Sequence, residues 1–334
     1  MADAFIIGGT GQIGLAVARR LAAEGWSVRL GARGAPPVDG PWRPVEMARD
    51  EIGGALGDGA DLVVDCIAFD GADADRLVAL RDRVDRFVAV SSASVYADPE
   101  GRTLDEARQT GFPRFPVPIP VGYSTVAPGP ETYSTRKVEM ERRLLGGAAG
   151  RATVLRPCAI HGAWSKHARE WWFVKRLLDG RAAIPLAYGG RSRFQTTSVA
   201  AIAEAVLAAA DGRSAEIVNV ADGDAPDVAE IGRAIMAEMG VTADLVGLPD
   251  VPFPPELGVT PWSVERPLLM DAPQPEAGTY AESVGPAVRW LVDVVARGDW
   301  RALVPQLAAY PRDHFDYALD DRGLAVPGAF GLAG

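Results

Sequence analysis

Tyr133 and Lys137 stand four residues apart in the run ETYSTRKVEM, and this pair defines the chemistry to look for. On a helix, positions i and i+4 share one face. An ammonium held close to a phenol favours the phenolate and lowers a pKa that starts at about 10. A tyrosine placed in this way can pass a proton near neutrality. Lysine is scarce in the chain: it occurs only at 137, 166 and 175, and arginine supplies the rest of the 34 basic residues. Where arginine is the usual cation, lysine at 137 points to a need for lysine itself. A second group of hydroxyls, Ser91, Ser92 and Ser94, follows the apolar run RFVAV (86–90). A hydroxyl at the end of a buried strand can donate a hydrogen bond to a substrate carbonyl.

These residues need a frame. Ala4–Ile7 is a short apolar run. Residues 12–24 carry Ile13, Val17 and Leu21 at helical spacing, and Gly25 stands where the helix must end. Between strand and helix lies IIGGTGQIG, in which Gly8, Gly11 and Gly14 form G-x-x-G-x-x-G. The first glycine permits a tight turn, the second lets backbone approach a pyrophosphate, and the third lets helix and strand pack closely. The helix N-terminus then offers N–H groups and a positive dipole end. Thr10, Gln12 and Ile13 complete the expected cofactor-binding set.

Further strands are expected around Val28–Leu30, near 44–47, and at 61–68, 86–91 and 152–160, with helices at 73–83 and 133–145. Near-continuous apolar strands alternating with helices predict an α/β fold with a doubly wound parallel sheet. Residues 1–160 are read as this dinucleotide-binding Rossmann domain. Residues 161–334 are read as mainly a smaller substrate-binding domain, with helices at 165–179, 199–210, 227–239 and 282–297. The segment 193–222, with strand 216–220, is placed to return to the first sheet. Residues 113–130 hold six prolines, a density no helix survives. This stretch lies between the serines and Tyr133, so it reads as a substrate lid or, equally, a rigid surface loop.

The glycine spacing, the Tyr-x-x-x-Lys pair and the serine run resemble the extended short-chain dehydrogenases/reductases, which include epimerase- and dehydratase-like members. In that group the catalytic hydroxyl stands four residues before a Val-Tyr tyrosine, here Tyr96, so the resemblance selects Ser92. It implies a catalytic set of Ser92, Tyr133 and Lys137, with Lys137 also holding the cofactor ribose. ATVLRPCAIHG (152–162), RFQTTSVAAIAEAVLAA (193–209) and the segment 266–293 are similar to later stretches of the group. They depart from it at His161, where an aromatic residue is usual, and at Ser198, Ala200 and Ala201, where polar residues are usual. The dehydratases carry Asp-Glu directly after the catalytic hydroxyl; Ala93 and Ser94 stand there instead, which argues against dehydration. The tail 299–334 matches nothing in the resemblance.

Cofactor choice turns on the end of the second strand, SVRLGARG. NAD-preferring members carry an acid there for the ribose hydroxyls. Here Gly31, Ala32 and Arg33 occupy the place, and Arg33 can offer a bidentate guanidinium to a 2′-phosphate. NADP(H) is therefore expected, with NAD(H) as the alternative. The expected activity is hydride transfer between a ketone and a secondary alcohol, with a nucleotide-sugar epimerase and a non-catalytic NADP-binding protein as alternatives.

Composition limits the rest. A net charge of −10 disfavours phosphate backbones, so nucleic acid is not an expected partner. Hydrophobic residues make up 48% of the chain, enough for a sizeable core. Cys66 and Cys158 read as small buried hydrophobes, not as a disulfide framework, and His161, His167 and His314 match no zinc spacing. Neither a signal peptide nor a membrane span is expected, which places the chain in the cytoplasm. A small-molecule substrate is the expected partner, and a homodimer is left open.

Overall fold

The computed structural model describes residues 1–250, 255–272 and 277–333. In chain order the principal elements begin with β1 (Asp3–Ile7), α1 (Gln12–Ala23), β2 (Ser27–Ala32), β3 (Arg43–Glu46), β4 (Ala60–Asp65), α2 (Gly71–Val78), β5 (Val84–Val90), α3 (Tyr133–Gly147) and β6 (Ala152–Pro157). They continue with β7 (Ala159–His161), α4 (Trp171–Leu178), β8 (Ala183–Leu186), β9 (Thr196–Ser198), α5 (Val199–Ala210), β10 (Ile217–Val220), α6 (Val228–Met239), β11 (Asp244–Gly247) and β12 (Phe330–Gly331). The expected strand 152–160 is broken into β6 and β7, and the expected helix 282–297 into the shorter pieces 280–283, 285–290 and 291–295.

The chain divides into two compact units. One comprises Met1–Cys158, Val199–Ala221 and Met270–Ala277. Its seven-stranded sheet runs β10-β6-β5-β4-β1-β2-β3, all parallel. Phe5, Ile6, Ile7, Val63, Val64, Val88 and Ala89 are all buried, so the central strands are covered on both faces, as their unbroken apolar runs require. Strand order reverses between β1 and β4. In such sheets ligands bind beyond the carboxyl ends of the strands at that switch point. Ile7, Asp65 and Val90 are the last residues of β1, β4 and β5, so the glycine turn and the serine run lie at this end.

The other unit comprises Ala159–Ser198, Asp222–Leu269 and Gly278–Gly334. It contains the sheet β12-β11-β8 and the pair β7-β9. Trp171, Trp172, Phe173, Trp262, Tyr280 and Trp290 form much of its core, with Trp164 packed against it. The tail belongs to this unit: Asp320 accepts Arg176 Nε at 2.8 Å and Nη2 at 3.0 Å, and β12 pairs with β11. No helix among the described residues is long and apolar enough to cross a membrane. Cys66 and Cys158 are half-buried, more accessible than their apolar neighbours implied.

Candidate active site

The glycine turn is shaped by contacts that differ from one glycine to the next. Gly8 has φ +73°, a left-handed conformation that favours glycine, and a Cβ there would also meet Ile67 Cγ2 at 2.7 Å. A Cβ on Gly14 would lie 2.5 Å from Gly9 Cα and 2.6 Å from Gly8 O, so helix and turn touch backbone to backbone. Gly11 differs from both. Its φ is −86°, and a Cβ would find only Gly8 O at 3.5 Å. The chain's own packing leaves room for a side chain at 11, so a demand for glycine there comes from something that approaches from outside.

Gly11 is the N-cap of α1, no side chain caps it, and the first turn holds no acidic residue. The leading N–H groups thus lack a side-chain acceptor. Beside them, Gln12 Oε1 is buried without a hydrogen-bond partner. Thr10 is half-buried and Ile13 is buried. An uncapped helix start and an open glycine fit the pyrophosphate of a dinucleotide, while Gln12 Oε1, an acceptor, is suited to a hydroxyl of the ligand.

The catalytic candidates come from two neighbouring elements. Thr132 and Thr135 form a reciprocal cap: Thr132 Oγ1 accepts from Thr135 N at 3.2 Å, and Thr132 N donates to Thr135 Oγ1 at 2.9 Å. The cap starts α3 at Tyr133 and puts Lys137 one turn below it. Ser92, just past β5, accepts Ser94 N at 3.1 Å and stands close enough to the Tyr133 phenol to favour its ionised form. Lys137 is 6% exposed; its Nζ donates to Ala68 O at 2.6 Å and Val90 O at 3.0 Å and lies 5.5 Å from the Tyr133 ring centroid. The structure thus brings Ser92, Tyr133 and Lys137 together. Ser91 donates to Glu141, and Ser94 accepts from Ser134, so both are engaged in packing α3 onto β5.

The electrostatics differ from the simple expectation for a Tyr-Lys pair. Tyr133 is 43% exposed as a residue, yet partial desolvation at its phenol pushes the pKa above the ordinary range, with Ser92 opposing the shift. Lys137 is not what depresses it. Burial instead pushes Lys137 itself down to about 8, against the pull of Asp65, Glu141 and Asp73.

Arg33 is exposed just past β2, with no ion pair among the described residues. Sequence inspection missed Glu46, an exposed acid that strand register sets opposite Ala32. It also missed Arg49, which holds the buried Asp65. A hint existed in the sequence: an aspartate inside the apolar run LVVDCIA must have a cation partner. The identity of that cation was not legible.

No protein-family profile and no curated relative matches the chain. Solved structures do. WbmH of Bordetella bronchiseptica, in complex with NAD+, is 20% identical with a TM-score of 0.63 over 88% of this chain and 99% of that one. The UDP-N-acetylglucosamine 4-epimerase of Bacillus cereus is 16% identical with a TM-score of 0.62, covering 89% and 100%. The dTDP-glucose 4,6-dehydratase of Bacillus anthracis, in complex with NAD, is 14% identical with a TM-score of 0.61, covering 88% and 97%. The chain has the epimerase–dehydratase fold. This is the Rossmann-type fold implied by the resemblance to extended short-chain dehydrogenases/reductases, and it spans the whole of these neighbours. Within this epimerase–dehydratase fold the dehydratase acid pair stays absent: Ala93 and Ser94 begin the short turn after Ser92.

Proposed function

We propose that this chain is an oxidoreductase that interconverts a ketone and a secondary alcohol with a nicotinamide dinucleotide, NADP(H) in preference to NAD(H). The observation that carries this reading is the buried Lys137 ammonium 5.5 Å from the Tyr133 ring, with Ser92 beside the phenol, at the carboxyl ends of the strands that frame the glycine turn. When bound, the nicotinamide supplies or accepts the hydride. Tyr133, protonated at neutral pH as any phenol with a pKa of about 10 or above is, donates its proton to the carbonyl oxygen in the reductive direction. Ser92 donates a hydrogen bond to the same oxygen and orients it. Lys137 supplies positive charge beneath the phenol and a remaining N–H for a ribose hydroxyl. The uncapped start of α1, with Gly11, receives the pyrophosphate.

The preference for NADP(H) rests on the end of β2, where Gly31, Ala32 and Arg33 offer a cation and no acid. Glu46 is placed to favour the alternative. Titrating NADPH and NADH against the wild type and Arg33→Ala tests this. Tighter NADPH binding that weakens in Arg33→Ala is expected; equal or tighter NADH binding would reverse the assignment. For the chemistry, Tyr133→Phe is expected to lose about 100-fold or more in turnover while keeping cofactor affinity. Undiminished turnover would remove Tyr133 from the mechanism. A nucleotide-sugar epimerase is the second reading, favoured by the fold shared with the Bacillus cereus epimerase. Interconversion of nucleotide sugars with no net change in cofactor redox state would select it.

A further inference from the structure

Arg49 follows β3 and is not among the catalytic or cofactor-binding residues above. Its guanidinium makes three contacts: Nη1 to Asp65 Oδ1 at 2.9 Å, Nη2 to Asp65 Oδ2 at 2.6 Å, and Nε to Asp73 Oδ1 at 2.8 Å. Both carboxylates do a second job. Asp65 Oδ1 accepts Ile67 N at 3.0 Å, and Asp73 Oδ2 accepts Phe69 N at 2.8 Å. One guanidinium therefore joins both carboxylates that hold the backbone of the 65–70 loop between β4 and α2; Asp73 Oδ1 also accepts Arg76 Nη1 at 2.9 Å, whereas Asp65 has Arg49 as its ion-pair partner.

That loop touches three parts of the proposed site. Ile67 Cγ2 lies where a Cβ of Gly8 would be, 2.7 Å from it, so Ile67 walls the glycine turn. Ala68 O takes the shorter of the two Lys137 Nζ hydrogen bonds, at 2.6 Å. The Phe69 ring lies 5.8 Å from the Tyr133 ring, centroid to centroid. Asp65 is fully buried, and an ionised carboxylate there needs a partner that satisfies both oxygens. A planar fork does this; a lysine ammonium is a point charge and cannot bond Asp65 twice and Asp73 once in the same geometry.

We propose that Arg49 is a positioning residue: by clamping Asp65 and Asp73 it holds the 65–70 loop, and through that loop it sets Lys137, Tyr133 and the wall of the glycine turn together. The cofactor side of this statement rests on the proposed dinucleotide site; the coupling to Lys137 does not. Lys137 is faced by Asp65 from β4, Asp73 from α2, Glu141 from its own helix and Arg49 itself, and it titrates at about 8.

The test uses the full chain labelled with ε-13C lysine, in which only three side chains, at 137, 166 and 175, give signals. Arg49→Lys keeps the charge and loses the fork; Arg49→Met loses both. The Lys137 resonance is expected to move in both variants, and its midpoint to rise in Arg49→Met by about half a pH unit or more, since a nearby positive charge has gone. Lys166 and Lys175 stay where they are. Reduced dinucleotide, followed by its fluorescence, is expected to bind about tenfold more weakly to Arg49→Lys. A Lys137 resonance and midpoint identical to wild type in Arg49→Lys overturns the proposal, and that variant alone decides if Arg49→Met does not fold. Failure of the wild type to bind either dinucleotide would overturn the proposed function, and the Lys137 signal would still decide the role of Arg49.

Discussion

At the scale of single residues, Lys137 shows what the site demands of the fold. A cation 6% exposed and titrating at about 8 is held charged at neutrality against its burial. Arginine, the common cation of this chain, could not lose its proton at all and would not end in a compact ammonium. The unfolded chain keeps the lysine proton to about pH 10.4, whereas the folded chain releases it near 8. Between these values the unfolded state binds more protons, so stability attributable to Lys137 rises with pH. Relative to Lys137→Met, the wild type should therefore gain roughly 2 kcal/mol of unfolding free energy between pH 7 and pH 10. Urea unfolding of both proteins across that range checks this, and parallel curves would mean that Lys137 is not desolvated in solution. Constant losses, such as the orphaning of Ala68 O and Val90 O in the variant, cancel from the difference.

At the scale of elements, the turn between β1 and α1 separates two meanings of glycine. Gly14→Ala pushes a methyl into Gly9 Cα and Gly8 O, at 2.5 and 2.6 Å, and neither backbone atom can step aside. It should cost about 1–3 kcal/mol of stability. Gly11→Ala meets nothing closer than 3.5 Å at an ordinary φ, and should cost less than about 1 kcal/mol. Its effect is expected in dinucleotide affinity instead, where the methyl stands in the way of the phosphates. Denaturation and fluorescence titration of both variants test the pair; undiminished affinity in Gly11→Ala would place the phosphates elsewhere. The proline-rich stretch is a different kind of element from the free lid that its composition allowed. Ile119 is buried, Asn219 Nδ2 donates to Ile119 O at 3.2 Å, Arg156 Nη1 donates to Val121 O at 3.2 Å, and Val126 N donates to Val95 O at 2.9 Å. Residues 119–126 are thus stitched to β6, β10 and the turn after Ser92 in their own unit.

At the scale of the whole molecule, the path of the chain matters more than a division at any one residue. The polypeptide passes between the two units at 158–159, 198–199, 221–222, 269–270 and 277–278. A fragment 1–160 would lack α5, which packs on α1, and β10, which borders β6. It would expose the apolar faces that Ile202 and Val206 cover and leave the buried Tyr96 hydroxyl without Asn219 Oδ1, to which it donates at 2.6 Å. This fragment is expected to lack cooperative unfolding, and a fragment 1–222 to regain part of it. Calorimetry of both tests the point; a sharp transition in 1–160 would show that the six inner strands suffice.

Much of the site was legible because it is local. The glycine turn, the helix beginning at 133 and the one-turn spacing of Tyr133 and Lys137 each lie within a dozen residues, and backbone geometry converts such spacing directly into shared faces. The apolar strands likewise announced a sheet covered on both sides. Three things were decided only by the tertiary structure. Strand 216–220 was expected to return to the first sheet, but that its neighbour there is β6, more than sixty residues earlier, was not legible. Asp65 and Asp73 share a partner, Arg49, that stands 16 and 24 residues away on another element. Tyr133 is raised in pKa where the motif alone implied lowering, because desolvation of the phenol outweighs the opposing effect of Ser92. Hydrophobic periodicity and motif spacing report what a segment does with itself; partner choice and desolvation depend on which distant segments the completed sheet brings beside it.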